Sequence, residues 1–282
     1  MIIWIASYPK SGNTWVRSLI SALVYTENGV FDFQKLKYIP QFPDKAYFKN
    51  LTDKYSDINN LKKYWITAQD KINLDKKIKF FKTHHLNCKI DQYSFTNDSN
   101  TKAKIYIVRD PRNLVNSISN HYSKSHDEAV KFLTTPRFIG GSQKRGGINK
   151  NDLVTLIGTW REHYKFWTQN KNNLLIIKYE DLIKDTEKEL VKIIKFLNNY
   201  LTFDLSKNKL NNILETTSFT NLKKMEKSGL FTENAFNKKK AKKVNFFHLG
   251  EKNKWENILK KEHQIKIQNH FEKEMCELKY LL

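Results

Sequence analysis

Residues Ser7-Tyr8-Pro9-Lys10-Ser11-Gly12-Asn13-Thr14-Trp15 set a cation, hydroxyls and a glycine between a short apolar run and a helical pattern. A strand, a turn and a helix N-terminus in this order leave backbone N–H groups without intrahelical partners, and the helix dipole adds positive potential there. Such a turn binds anions. Gly12 permits close backbone approach, Ser11 and Thr14 add hydroxyl donors, and Lys10 adds a point charge. The order differs from the nucleotide-triphosphate loop Gly-x-x-x-x-Gly-Lys-Ser/Thr, which places its Lys directly after the glycine; here Lys10 precedes Gly12. A bare Lys-Ser-Gly also reads as a helix N-cap with an incidental Lys, so the turn needs support from the rest of the chain.

The elements that must position it are a repeated pairing of short apolar runs with helical patterns. Residues 2 to 6 read as a buried strand, and Thr14 to Tyr25 as a helix with Trp15, Leu19, Ala22 and Leu23 on one face. Ile78 to Lys82, Lys104 to Val108 and Leu174 to Tyr179 are further strands. Pro111 suits the first turn of a helix running to His121. A helix from about Leu153 to Gln169 carries Trp160, Tyr164 and Trp167 on one stripe, and Asp181 to Leu197 is another helix. Strands alternating with helices imply right-handed crossovers. The expected fold is α/β: a single domain over 1–282 with a central, mostly parallel β-sheet flanked by helices and a P-loop-like strand-turn-helix. Segments 26–75, 134–150 and 226–247 fit this pattern poorly. Ligands lie beyond the carboxyl ends of strands in open α/β sheets, so these segments are expected to shape the substrate side of a pocket.

The motifs in chain order resemble those of the cytosolic-type sulfotransferases, which use 3′-phosphoadenosine 5′-phosphosulfate (PAPS). Tyr8 to Trp15 resembles the family's 5′-phosphosulfate loop. Arg109-Asp110-Pro111-Arg112-Asn113, with Ser117 following, resembles its 3′-phosphate motif. Lys82-Thr83-His84 resembles its catalytic-histidine strand, Tyr179-Glu180-Asp181-Leu182 its adenine-side turn, and Thr217-Ser218-Phe219 a further nucleotide contact. The resemblance runs from residue 7 to about residue 255.

It implies sulfuryl transfer from PAPS to a hydroxyl or amine of a small-molecule acceptor, with release of adenosine 3′,5′-bisphosphate (PAP) and no metal. His84 would be the general base, since imidazole titrates near neutral pH. His85 beside it faces the opposite side of a strand, so one of the two points at the reacting centre and the other is structural. Lys10 would sit at the oxygen bridging phosphate and sulfate, and Lys82, on the face of His84, at the transferring sulfonate. The N–H groups of Ser11, Gly12, Asn13, Thr14 and Trp15 would hold the 5′-phosphate, and Arg109 and Ser117 the 3′-phosphate. Trp15, Tyr179, Thr217 and Phe219 would contact adenine or its surroundings. His248, Leu249 and Gly250 stand where the family has Arg-Lys-Gly on the 3′-phosphate. Either Lys252 or Lys254 replaces the lost cations, or 3′-phosphate binding is weaker and more pH-dependent through His248.

Lys and Arg number 50 against 29 Asp and Glu in 282 residues, a formal charge of +21. That balance suits nucleic acid, an anionic membrane surface or acidic small molecules. Nearly all of it is Lys, with abundant Asn and Ile, which is also what an AT-rich coding sequence writes onto any solvated surface. A non-catalytic binder of nucleic acid or polysaccharide would need a continuous basic stripe with interleaved aromatics, whereas the Lys here is dispersed. A related-loop phosphotransferase would need a Lys after the glycine and a carboxylate for Mg²⁺. Cys88 and Cys276, the only cysteines, build neither a disulfide framework nor a four-cysteine metal site. The opening apolar run is far shorter than a membrane span, so a reducing, cytoplasmic setting is expected. Oligomeric state is left open.

Overall fold

The computed structural model describes residues 1–139, 153–229, 231, 233, 235–237 and 242–281. Gly140-Gly141 and Gly146-Gly147 of segment 134–150, and Lys238-Lys239-Lys240 of segment 226–247, lie outside the described residues. The elements that bear on function are β1 (Ile2–Ser7), α1 (Asn13–Tyr25), β2 (Lys79–Thr83), β3 (Thr101–Val108), α2 (Pro111–Tyr122), α3 (Trp160–Thr168), β4 (Leu174–Lys178), α4 (Tyr179–Lys184), α5 (Thr186–Leu197), α6 (Phe219–Lys227) and α7 (Lys261–Glu277). The chain forms two compact units. The first holds Met1–Tyr8, Pro40–Tyr106 and Thr135–Ile176; the second holds Pro9–Ile39, Ile107–Thr134 and Ile177–Leu282.

The α/β architecture is the expected one, a central parallel sheet flanked by helices. Strand order is β2-β1-β3-β4, and β1 pairs with β2 in parallel from Ile2 opposite Lys79 to Ala6 opposite Thr83. All six residues of β1 are buried. A strand covered on both faces carries apolar side chains continuously instead of alternating. Trp4 anchors the packing of the first unit, with ring centroids at 5.7 Å from Phe42, 5.7 Å from Phe95 and 6.1 Å from Trp167. Its indole N–H donates to Thr101 Oγ1 at 3.0 Å, so the polar group of the buried Trp4 is satisfied.

Two helix boundaries differ from expectation. The helix expected from about Leu153 begins at Trp160, because Thr159 accepts from the Glu162 N–H while the Glu162 side chain accepts from the Thr159 N–H. That capping box, preceded by Gly158 at φ 60°, sets the start. Thr155–Leu156 instead pairs antiparallel with Phe138–Ile139. The helix expected over 181–197 is split at Asp185, whose extended backbone (φ −154°, ψ 84°) ends α4 and whose side chain caps α5 through Lys188 N–H. In segment 26–75 the aromatics Phe42, Phe48 and Trp65 are fully buried in the first unit. Phe33 packs on Phe231 in the second, at 4.7 Å. Tyr38 is exposed and stacks on Tyr25 at 5.0 Å.

His85, just past β2, belongs to the core of the first unit. Its ring lies parallel to Phe95 at 4.2 Å, with the edge of Trp65 at 4.8 Å. Burial pulls its pKa down to about 3, against a weaker opposing effect of its hydrogen bond to the Leu86 carbonyl. The unfolded chain therefore takes up a proton near pH 6.5 that the folded chain refuses, and stability is lost as pH falls below that value. We expect His85→Phe, which keeps the stack, to flatten the fall in unfolding free energy between about pH 6.5 and 5 by about 1 kcal/mol per pH unit. Urea titrations across that range measure it; an unchanged slope would mean that His85 carries its proton in the fold.

Candidate active site

In the second unit the turn before α1 is built from left-handed backbone, with Lys10 at φ 70° and Gly12 at φ 103°. Gly12 is the N-cap of α1; no side chain caps it, and the first turn holds no acidic residue. The electropositive end of α1 is thus left without an internal carboxylate in its first turn. A β-carbon on Gly12 would lie 2.5 Å from Tyr179 Cδ2, so both the backbone angle and the neighbouring ring require glycine. The Trp15 ring meets Tyr179 edge-on at 6.0 Å and Phe219 at 6.3 Å. Ser11 Oγ and Trp15 Nε1 are buried without a hydrogen-bond partner among the described residues. Buried donors are rarely left so in a finished fold, and the chemistry they fit is a polar, anionic ligand at this turn.

Arg109 closes the other side of the turn. Its guanidinium lies over the Tyr179 ring at 4.0 Å and donates from Nη1 to the Lys10 carbonyl and to Ser117 Oγ, both at 3.1 Å. Arg109 and Ser117, which the resemblance assigned to one phosphate, therefore meet at one point. Pro111 opens α2, and Asp110 caps it by accepting from the Arg112 N–H at 2.8 Å while pairing with the Arg112 guanidinium. Asn253, which no sequence argument singled out, donates to the Asn113 carbonyl at 2.9 Å and lies 3.4 Å from Ser117 Oγ. Lys10 Nζ lies 3.3 Å above the Phe246 ring and 3.5 Å from His121 Nδ1.

The remaining expected nucleotide residues divide. Gly250 sits at φ 58°, and a β-carbon there would strike Phe219 at 2.6 Å, so the turn and the ring are packed together. His248 is exposed and Leu249 half-buried; the His248 carbonyl accepts from Lys223 Nζ at 2.9 Å. Burial, then the Lys223 charge, lowers the His248 pKa, so this imidazole is neutral near pH 7. Lys252 and Lys254 are both exposed. Thr217 is fully buried, with its hydroxyl donated to the Ile213 carbonyl at 2.6 Å. The Thr14 hydroxyl donates to Glu233 at 3.0 Å, and Glu233 pairs with the buried Arg17 at 2.7 Å.

In the first unit, the alternation of β2 continues past its last residue. Lys82 and His84 are half-buried, while Thr83 and His85 are buried. His84 Nδ1 lies 2.7 Å from the Ser7 carbonyl and 3.3 Å from the Ser7 hydroxyl. A carbonyl only accepts, so the proton sits on Nδ1 and the lone pair on Nε2. The His84 carbonyl in turn accepts from His163 Nε2 at 3.2 Å, which leaves His163 Nδ1 to accept from the Tyr106 hydroxyl at 3.0 Å. Burial pulls the His163 pKa down to about 3 and keeps this link neutral. Sequence reading missed His163. Its one visible sign is a polar residue inside the aromatic stripe Trp160, Tyr164, Trp167.

Among the described residues no group of three or more His, Cys, Asp or Glu could hold a metal ion, and no helix is long and apolar enough to cross a membrane. A sequence model of the sulfotransferase domain matches residues 2–279. The chain belongs to the sulfotransferase domain family, an α/β class whose chemistry is sulfuryl transfer. It is 26% identical to mouse (Mus musculus) sulfotransferase 1E1 over 98% of this chain and 84% of that protein. It is 26% identical to the amine sulfotransferase of Oryctolagus cuniculus over 78% of this chain and 62% of that one. The fold is similar to mouse sulfotransferase SULT7A1 complexed with PAP, with 21% identity, a TM-score of 0.58 and coverage of 97% and 84% of the two chains. It is also similar to retinol dehydratase in a complex with retinol and PAP, with 18% identity, a TM-score of 0.59 and coverage of 97% and 81%.

Gly12→Ala tests the turn. A methyl group would push into the Tyr179 ring at a left-handed backbone position, at a cost of about 1–3 kcal/mol. We expect a lower thermal unfolding midpoint and at least a tenfold loss of PAP affinity by calorimetry (about 1.4 kcal/mol). Wild-type values for both would contradict the packing described.

Proposed function

We propose that the chain transfers the sulfuryl group of PAPS to a hydroxyl or amine of a small-molecule acceptor, with His84 as general base. The observation that carries this reading is the convergence at one turn of the uncapped N-terminus of α1, Lys10 and the Arg109–Ser117 pair. A ligand with two separate anionic ends suits that arrangement better than a single phosphate does. In this reading, the N–H groups of Ser11 to Trp15 take the 5′-phosphate, Arg109 and Ser117 take the 3′-phosphate, and Trp15, Tyr179 and Phe219 flank adenine.

Bound PAPS supplies the sulfuryl group and leaves as adenosine 3′,5′-bisphosphate. His84 Nε2, whose lone pair is set by the Nδ1–H bond to the Ser7 carbonyl, takes the proton of the attacking acceptor. Lys10 meets the negative charge that grows on the departing phosphate oxygen, and Lys82 steadies the sulfonate. The Thr14 hydroxyl reaches the 5′-phosphate by exchanging Glu233 for it. His248 and Leu249 add no charge at the 3′-phosphate, so Arg109 carries most of that recognition, with Lys223 as the cation tied to the same segment.

The test is an acceptor panel run with ³⁵S-labelled PAPS, using His84→Ala as the blank. We expect His84→Ala to lower kcat by about 10²- to 10⁴-fold while the PAP dissociation constant stays within about twofold. Full activity in the variant would remove His84 from the base role.

A further inference from the structure

Glu180 and Tyr280 are titratable groups to which the proposed reaction gives no part, yet they join the two turns that carry Arg109 and Tyr179. Glu180 Oε1 accepts from the Asp110 backbone N–H at 3.1 Å, and Oε2 accepts from the Tyr280 hydroxyl at 2.9 Å. Asp110 follows Arg109 directly and Glu180 follows Tyr179 directly, so this carboxylate locks the relative position of a guanidinium and the ring it stacks on, 4.0 Å apart. Tyr280 is held in turn. Its carbonyl accepts from Arg112 Nη2 at 2.8 Å, and its ring lies 4.5 Å from Lys178 Nζ, which itself donates to the Leu278 carbonyl at 2.7 Å. The short segment after α7 is thereby fastened to α2 and to the end of β4.

We propose that Tyr280 is a positioning residue for the 3′-phosphate: by holding Glu180 on the Asp110 amide, it sets the Arg109 turn and keeps the carboxylate from competing for the Arg109 guanidinium. This rests on the reading that Arg109 takes the 3′-phosphate. The physical reason lies in the lone pairs of Glu180. With both oxygens satisfied, the carboxylate stays where its hydrogen bonds put it; burial raises the Glu180 pKa and the Arg109 charge opposes that rise, so with Oε2 released the cation left to draw the carboxylate is Arg109. A carboxylate turned onto Arg109 takes hydrogen bonds and charge that a phosphate would otherwise receive.

The experiment is calorimetric binding of adenosine 3′,5′-bisphosphate and adenosine 5′-monophosphate to the full chain and to Tyr280→Phe, which keeps the ring over Lys178. The bisphosphate dissociation constant should rise about tenfold, and the monophosphate constant should stay within about twofold. In an Arg109→Ala background, Tyr280→Phe should change bisphosphate binding by less than about twofold, because the residue it positions is gone. Equal weakening of both nucleotides, or a full additional loss in the Arg109→Ala background, would reduce Tyr280 to general support and overturn the proposal, as would no change at all. Equal affinity of the wild-type chain for the two nucleotides would instead defeat the 3′-phosphate reading of Arg109, and this inference with it.

Discussion

The absence of a β-carbon at Gly12 is the constraint on which the rest of the candidate nucleotide site depends. It lets the backbone turn at φ 103°, and it lets the Tyr179 ring lie where any other residue would place an atom 2.5 Å away. Because Tyr179 sits there, Arg109 has a ring to stack on, Trp15 has an edge to meet, and Glu180 is brought beside Asp110. Because glycine offers no capping side chain, the N-cap puts no side-chain acceptor of its own at the electropositive end of α1. One missing methyl group therefore fixes the approach of two loops and the charge of the helix end between them.

Two adjacent histidines show how burial assigns chemistry. His84 and His85 differ by one step of the strand alternation, and that step puts one ring against the Ser7 carbonyl and the other flat on Phe95. Desolvation makes His85 too poor a base to titrate near neutral pH. The run from the Tyr106 hydroxyl through His163 to the His84 carbonyl consists of neutral groups with fixed donor and acceptor roles. It can hold the His84 backbone in place without placing a competing charge beside the imidazole.

What was legible in the sequence was whatever local spacing determines. The buried strand at 2–6 and the helix face of Trp15, Leu19, Ala22 and Leu23 follow from period, the meeting of Arg109 with Ser117 was implied by the family resemblance, and the structure has all three. The start of α3 was also written in the chain, as Thr159-x-x-Glu162, but the aliphatic run Leu153, Val154, Leu156 and Ile157 just upstream masked it. The roles of Glu180, Tyr280, Glu233 and His163 were not legible, because each acts through a partner distant in sequence: Tyr280 reaches Glu180 across 100 residues and Glu233 reaches Thr14 across 219. Of the cations behind the formal charge of +21, Lys10, Lys82, Arg109 and Lys223 are the ones assigned to the nucleotide; dispersed surface Lys, such as Lys252 and Lys254, needs no ligand to explain it.

Membership of the sulfotransferase domain family and the geometry of the turn agree on an anionic nucleotide. The central claim is that one nucleotide is gripped by its two phosphate ends at a single glycine turn. A crystal structure of the chain with adenosine 3′,5′-bisphosphate tests it most directly. The account predicts the 5′-phosphate on the first-turn N–H groups of α1, with Thr14 turned to it from Glu233, and the 3′-phosphate on Arg109 and Ser117. A bisphosphate bound away from the Gly12 turn, or held there by one phosphate with the other in solvent, would contradict it.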